Sequence, residues 1–109
     1  MAYDRNLTRR IRETLGDMPE LVEKEMFGGV GFLLNGNMAC GVLKDRLIVR
    51  VGAENHATAL ARPHALTFDM RGRPMKGWVM VEAAGVATEQ ALKKWVLQGV
   101  AFVRTLPPK

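Results

Sequence analysis

The pair Asn35-Gly36 lies between two apolar runs, and this arrangement constrains the fold more than any other feature of the sequence. Both central residues of a type I′ turn need positive φ, which asparagine and glycine adopt readily. The runs Val30–Leu34 and Met38–Leu43 are therefore predicted to pair as a hairpin. After a second turn at Lys44-Asp45, the alternation along Arg46–Val51 predicts a third strand. We expect an antiparallel meander with one face packed on helices.

Helical periodicity marks both ends of the chain. From Asp4 to Leu15, apolar residues recur every four positions, and Gly16 is suited to cap the end of a helix. A second helix is predicted after Thr88, which is a good N-terminal capping residue. Its apolar stripe consists of Leu92, Trp95, Val96, Gly99, Val100 and Val103. These helices are expected to cover the sheet.

The segments between these elements are less regular. Local propensity favours a helix over Glu20–Phe27, although the alternation there also suits a charged edge strand. The tail Leu106–Lys109 is expected to fray. The other segments are predicted as a short helix, a strand, a turn or loop, and a strand: Glu54–Ala61, Leu66–Phe68, Arg71–Pro74 and Trp78–Val81.

A chain of 109 residues is long enough to bury one core without staples, so a single domain over residues 1–109 is expected. The periodicities place ten side chains in that core: Ile11, Phe32, Leu34, Val42, Leu47, Val49, Leu92, Trp95, Val96 and Val100.

Two segments, taken with the order of elements, resemble a known family. They are Met26–Phe32, followed by the Asn35-Gly36 hairpin, and Gly72–Trp78, followed by the C-terminal helix. The sequence is similar, from about Asn6 to Val103, to the TfoX N-terminal domain family, named for a bacterial regulator of natural competence also called Sxy. The resemblance implies a two-layer α+β sandwich with an antiparallel sheet of about five or six strands and N-terminal, middle and C-terminal helices.

The resemblance also favours a strand over Leu21–Phe27, against local propensity. The family's regulators carry a second, C-terminal domain, and the sequence is expected to be a free-standing copy without it. The family carries no established catalytic residues, so the resemblance implies none here.

The residue types needed for common catalytic sites are absent or isolated. The chain contains no serine, so a serine-nucleophile hydrolase is excluded. Cys40, the only cysteine, lies in an apolar strand and is interpreted as a buried hydrophobe rather than a nucleophile. His56 and His64 lack the spacing that places two imidazoles on one helix face. Gly28–Gly31 precedes a strand, so it suits a bulge or close backbone approach better than a phosphate loop. No catalytic residue, metal or cofactor is predicted.

Positive charge is the one functional hint. The net charge is +5, and the basic residues form three groups: one on the first helix, one on a strand and one in a loop. Such groups bind phosphates or acidic protein surfaces, although a solvated polar face is the simpler interpretation. No aromatic residues interleave with them, so a stacking platform for single strands is not expected. The candidate basic surface consists of Arg5, Arg9, Arg12, Arg46, Arg50, Arg71, Arg73 and Lys76.

The function favoured by these observations is a non-catalytic regulatory or protein-interaction module. Its partner would be another protein or a second copy, contacted through Leu97, Ala101 and Phe102 on the last helix or through the edge strand Leu21–Phe27. The alternative is weak, nonspecific binding of nucleic acid, and a small-ligand binder or enzyme ranks last. With no signal-peptide pattern and no apolar run of about 20 residues, a cytoplasmic location without membrane contact is expected.

Overall fold

A computed structural model describes residues 3–26, 28–70 and 72–109 of the chain. The strands are Leu21–Met26 (β1), Gly29–Leu34 (β2), Asn37–Leu43 (β3), Arg46–Arg50 (β4), Ala65–Met70 (β5) and Arg73–Val81 (β6). The helices are Arg5–Leu15 (α1), His56–Leu60 (α2) and Glu89–Val103 (α3), with a short 3-10 helix at Ala83–Val86. All six strands pair antiparallel in one sheet, in the order β1-β2-β3-β4-β6-β5. The α+β sandwich expected from the sequence is confirmed.

The central meander follows directly from its turn residues. Asn35 and Gly36 have φ of 52° and 84°, as a type I′ turn requires. Lys44, in the next turn, also has a positive φ of 57°. The register of β2 against β3 shifts between Phe32 and Leu33, which is a β-bulge. The predicted hairpin and third strand are confirmed.

β1 is a strand at one edge of the sheet, as the resemblance implies and local propensity does not. It pairs along its whole length with β2, from Leu21 opposite Leu34 to Met26 opposite Gly29. The hydrogen bonds of this ladder outweigh the weak helical preference of the segment, because propensity is small beside tertiary pairing. Phe27, the last residue of the predicted segment, lies outside the described residues.

β5 and β6 extend well beyond their predicted bounds. Arg73 and Pro74 were expected in a turn or loop, but they lie in β6, opposite Met70 and Asp69. Pro74 is tolerated there because the register of β5 against β6 shifts between Thr67 and Asp69, so the ladder is irregular at this end. Of the predicted turn, Gly72 is a turn residue, and Arg71 lies outside the described part of the chain.

The helices pack on one face of the sheet. α1 begins at Asp4, whose carboxylate accepts a hydrogen bond from the Leu7 N–H, and α3 begins at Thr88, whose hydroxyl accepts one from the Ala91 N–H. α3 lies over β3 and β4 and contacts α1, while α2 lies beside β5 and β6. α2 is shorter than predicted, at five residues. All ten predicted core residues are buried in the single cluster between these helices and the sheet.

The C-terminal tail is docked rather than frayed. The Lys109 N–H donates to the Asn35 carbonyl, and the buried Asn37 side chain donates to the Pro107 carbonyl at 2.9 Å. Leu106 packs against the core cluster. The expectation of a frayed end was wrong because Asn37, 2 % exposed, needs a partner for its amide, and the tail supplies it.

Candidate functional site: the open face of the sheet

The strand registers separate the sheet into two faces, and we call the one directed away from the helices the open face. The residues opposite one another in a ladder lie on the same face. Ile48 is the central residue of β4 on this face, since its neighbours Leu47 and Val49 belong to the helix-side core. One row of the open face crosses all six strands: Lys24, Gly31, Gly41, Ile48, Met80 and Leu66.

This face is apolar as well as uncovered by helices. Ile48 and Phe68 are 4 % and 8 % exposed, yet neither belongs to the core cluster on the helix side. They are buried instead among side chains of the open face, including Trp78, whose ring centroid lies 6.2 Å from that of Phe68. Apart from Lys109 of the docked tail, the described residues that line the cavity on this face belong to the sheet and its first hairpin turn, which leaves apolar area available for contact.

Two glycines in the middle of the open face are covered by methionine side chains. Gly31 and Gly41 are directly opposite one another in β2 and β3, and both are buried. A Cβ on Gly31 would lie 3.2 Å from the Met26 Cε and 3.3 Å from the Met38 Sδ, so both methionines lie over this point. The two methionines line an open cavity of about 400 Å³, whose other lining residues include Leu33, Leu43, Ile48, Phe68, Met75 and Trp78.

The charged side chains that the described registers place on the open face are basic, and Lys109 lines its cavity. Lys24 lies on β1, and Arg46 and Arg50 lie at the two ends of β4, opposite Leu43 and Trp78. Within the described chain, neither arginine forms an ion pair; Arg46 contacts the Met80 Sδ at 3.5 Å. Among the described positions that the registers assign to this face, none is Asp or Glu.

Arg50 is held between two aromatic rings. Its Cζ lies 5.5 Å from the centroids of both Trp78 and Phe102, within the range of a cation–π interaction. The expectation that no aromatic residue interleaves with the arginines was therefore wrong. Phe102 comes from α3, 52 positions along the chain, so the contact could not be seen in local sequence spacing.

The candidate basic surface divides between the two layers. Arg9 bonds Glu13 at 3.0 Å and Arg12 bonds Glu23 through two nitrogens, at 2.9 and 2.7 Å. These hydrogen bonds, with the charge of Glu23, raise the pKa of Arg12. Arg5 lies 6.0 Å from the Tyr3 ring. The α1 arginines are thus engaged on the helix side.

The remaining members of the candidate surface lie on the sheet. Arg46 and Arg50 share one face of β4, as predicted. Arg73 and Lys76 are exposed on β6 rather than in a loop, and Arg71 is not among the described residues. Of the described members of the candidate surface, Arg50 lines the apolar cavity, to which sequence reasoning had not assigned a role, and Arg46 lies on the same face of β4.

The other candidate residues do not form a catalytic site. Cys40 is completely buried, and this burial raises its pKa to about 12. The His64 Nδ1 lies 3.9 Å from Glu82, while the His56 Nε2 is buried without a hydrogen-bond partner. In residues 3–26, 28–70 and 72–109, no group of three or more His, Cys, Asp or Glu side chains could hold a metal ion.

Gly29 and Gly31 lie within β2, as the interpretation of close backbone approach requires. A Cβ on Gly29 would fall 2.3 Å from the Val42 carbonyl oxygen of the neighbouring strand. The predicted close approach is confirmed. Since both glycines lie inside a ladder, their N–H groups face β1 and β3 rather than a ligand.

A second surface lies on α3. Leu97 is 37 % exposed and Ala101 is exposed, as the helical pattern predicts, but Phe102 is half-buried against Gly52 and Arg50. The large apolar area is therefore on the open face. Its signal in the sequence was the unbroken apolar run Val30–Leu34, which suits a strand with apolar residues on both faces. None of the helices in the described segments is long and apolar enough to cross a membrane.

Comparison with known proteins agrees with this architecture. No curated protein and no solved structure matches the chain significantly. A family model, the TfoX N-terminal domain, matches residues 13–103. This match runs from the last turn of α1 to the end of α3 and so includes every strand of the sheet. The chain therefore belongs to the TfoX N-terminal domain family.

Proposed function

We propose that this domain is a non-catalytic regulatory module that binds a protein partner through the open face of the sheet. The observation that carries the proposal is the combination of apolar surface and uniform positive charge on that face. Protein interfaces typically place apolar and aromatic side chains at the centre of the contact, with arginine enriched among them. Trp78, Met38 and Arg50 provide these residue types here.

The family supports a regulatory rather than a catalytic role, since its name-giving member regulates competence. We extend the proposal to action in the bacterial cytoplasm, as a regulator whose partner is a protein of the same cell. The chain's own contribution is to present a preformed surface, because the strands that carry the open face are held by ladders to their neighbours and by the helix-side core.

The test compares the open face with the surface on α3. Met38→Glu and Leu43→Glu would each place a carboxylate at a half-buried position of the open face, while Leu97→Glu alters the exposed α3 surface. Each protein, checked for folding by thermal unfolding, is used to capture partners from a native lysate. We expect the captured protein to be lost with the first two variants and kept with Leu97→Glu. Loss with Leu97→Glu alone would assign binding to α3 and contradict the proposal.

Nucleic-acid binding is the second candidate, and Arg50 is the observation that favours it. An arginine stacked beside Trp78 resembles the combination of charge and aromatic surface used to hold single strands. Binding would be nonspecific and steeply salt-dependent, because no element is shaped to read bases. Anisotropy of a labelled random-sequence oligonucleotide, measured from about 50 to 200 mM salt, checks this. Affinity that falls steeply with salt, is still measurable at physiological salt and depends on Arg50 would favour the second candidate.

A further inference from the structure

We infer that the open face takes an amphipathic helix whose apolar stripe lies over Met26 and Met38 and whose flanking carboxylates meet Arg46 and Arg50. This inference deepens the proposed function by giving the partner's chemistry. It rests on three features: the position of the cavity in the sheet, the methionines that line it and the charges.

The first feature concerns backbone hydrogen bonding. The cavity lies over β2, β3, β4 and β6, which are internal strands with both neighbours in place. A segment lying on this face finds no free backbone groups in these strands. Its own buried N–H and C=O groups must then pair within the segment, which a helix achieves and an extended peptide does not. The edge strands β1 and β5 would suit an added strand, but they lie at the sides of the cavity.

The second feature is the adaptable apolar surface at the centre of the open face. Met26 and Met38 lie over Gly31 and Gly41 and line the cavity. Methionine side chains are flexible and adapt to apolar partners of different shape. Helices bound in grooves are anchored by apolar residues at positions i, i+3, i+4 and i+7.

The third feature is charge. Lys24, Arg46 and Arg50 are charged side chains that the registers place on the open face, and Lys109 lines its cavity. Arg46 and Arg50 have no acidic partner within the described chain. A face of one sign favours a partner of the other sign and disfavours like charge. Arg46 and Arg50 are four positions apart in β4, so their Cα atoms are about 13 Å apart. Carboxylates about two helical turns apart match this spacing when the helix runs along β4.

The experiment selects binders from a display library of helical peptides with a fixed apolar stripe and randomised flanking positions. The full chain is the bait, and three versions are compared: wild type, Arg46→Glu with Arg50→Glu, and Lys93→Glu with Lys94→Glu. The two double variants change the net charge equally, but Lys93 and Lys94 are exposed on α3, on the other layer. Thermal unfolding establishes that each bait is folded. If charge reversal on β4 prevents folding, Arg46→Gln with Arg50→Gln replaces it.

We expect the wild type and the α3 variant to enrich Asp and Glu at the flanks, and the β4 variant to enrich Lys and Arg. An acidic peptide selected on wild type should bind the β4 variant at least about tenfold more weakly. Circular dichroism should show that the peptide gains helix on binding.

Two results would overturn the inference and leave the proposed function intact. One is selection of peptides without acidic preference, or with a preference that the β4 variant does not change. The other is absence of any helical binder while protein capture from the lysate still depends on Met38 and Leu43. Displacement of the selected peptides by random-sequence DNA at physiological salt would assign the face to nucleic acid and overturn both. If the β4 variant inverts the preference but Met38→Glu leaves peptide binding intact, the contact is electrostatic only, and this result also overturns the inference.

Discussion

Gly99 shows how one missing side chain sets the distance between the two layers. A Cβ at this position would lie 2.4 Å from the Ala39 carbonyl oxygen, which is backbone and cannot move aside. In an exposed helix, Gly→Ala stabilises by up to about 1 kcal/mol. Here overpacking costs about 1–3 kcal/mol and should outweigh that gain.

Gly99→Ala is therefore expected to lower the free energy of unfolding by on the order of 1–2 kcal/mol. Chemical denaturation with urea measures this change directly. Lys93→Ala, at an exposed site on the same helix, is the matched control and should stay within about 0.5 kcal/mol of wild type. A more stable Gly99→Ala protein would contradict the packing of α3 on β3.

Cys40 is the residue whose titration links burial to stability. Burial raises its pKa from 9.0 to about 12, so the thiol keeps its proton in the folded state after the unfolded chain has lost it. The stabilising effect of the neutral thiol is complete below pH 9 and is lost as the pH rises towards 12. The melting temperature of wild type should fall more steeply between these pH values than that of Cys40→Ala.

The same burial predicts slow chemistry at Cys40. At neutral pH, iodoacetamide should alkylate the native protein far more slowly than the protein in urea, because the thiolate is the nucleophile. Rapid modification of the native protein, or parallel pH profiles for wild type and Cys40→Ala, would contradict the assigned environment.

Among the elements, β6 shows where sequence reasoning failed and why. Its second half, Trp78–Val81, was predicted from β-branched and aromatic residues, but Arg73–Lys76 reads as a loop in any local window. What makes it a strand is non-local: pairing of Arg73 and Pro74 with β5 across a change of register. β1 is the same case, since its charged residues become a strand only beside β2.

Gly77 makes the irregularity of β6 possible. Its φ is 90°, and its carbonyl oxygen accepts hydrogen bonds from the Val51 and Gly52 N–H groups. Gly77→Ala is expected to destabilise the protein by about 1–2 kcal/mol for the positive φ alone. Crowding adds to this cost, since a Cβ would lie 3.3 Å from the Ala53 nitrogen.

Gly72→Ala is the control for the positive φ of Gly77. Gly72 has a φ of 78°, but a Cβ there would meet nothing within 4 Å. Urea denaturation should show a larger loss of stability for Gly77→Ala than for Gly72→Ala. Equal losses would mean that the contact of β6 with the Val51–Ala53 segment is loose.

At the scale of the whole molecule, the sequence predicts the residues of the helix-side core better than it predicts the residues of the open face. Buried residues of the helix-side core recur about every 3.6 positions in α1 and α3 and every second position in β4. Both spacings can be recognised in the sequence. The open face is assembled from single residues of different strands, such as Gly31, Gly41, Ile48 and Met80. Only the register between strands brings them together, and no local pattern encodes that register.

The positive charge of the open face predicts the oligomeric state. Two copies joined through their open faces would bring two sets of Lys24, Arg46 and Arg50 together, and like charges at an interface are unfavourable. The apolar surface alone would favour such a dimer. We therefore expect the wild type to remain monomeric at micromolar concentration and low salt. The variant Lys24→Gln, Arg46→Gln and Arg50→Gln, which keeps the apolar surface and removes the repulsion, should self-associate.

Sedimentation velocity measures the oligomeric state of the wild type and of this triple variant. The matched control Lys93→Gln with Lys94→Gln removes charge from α3 and should stay monomeric. A wild-type dimer that the triple variant does not strengthen would show that the charges on the open face do not oppose pairing, and a homodimer would then replace the acidic helical partner as its occupant.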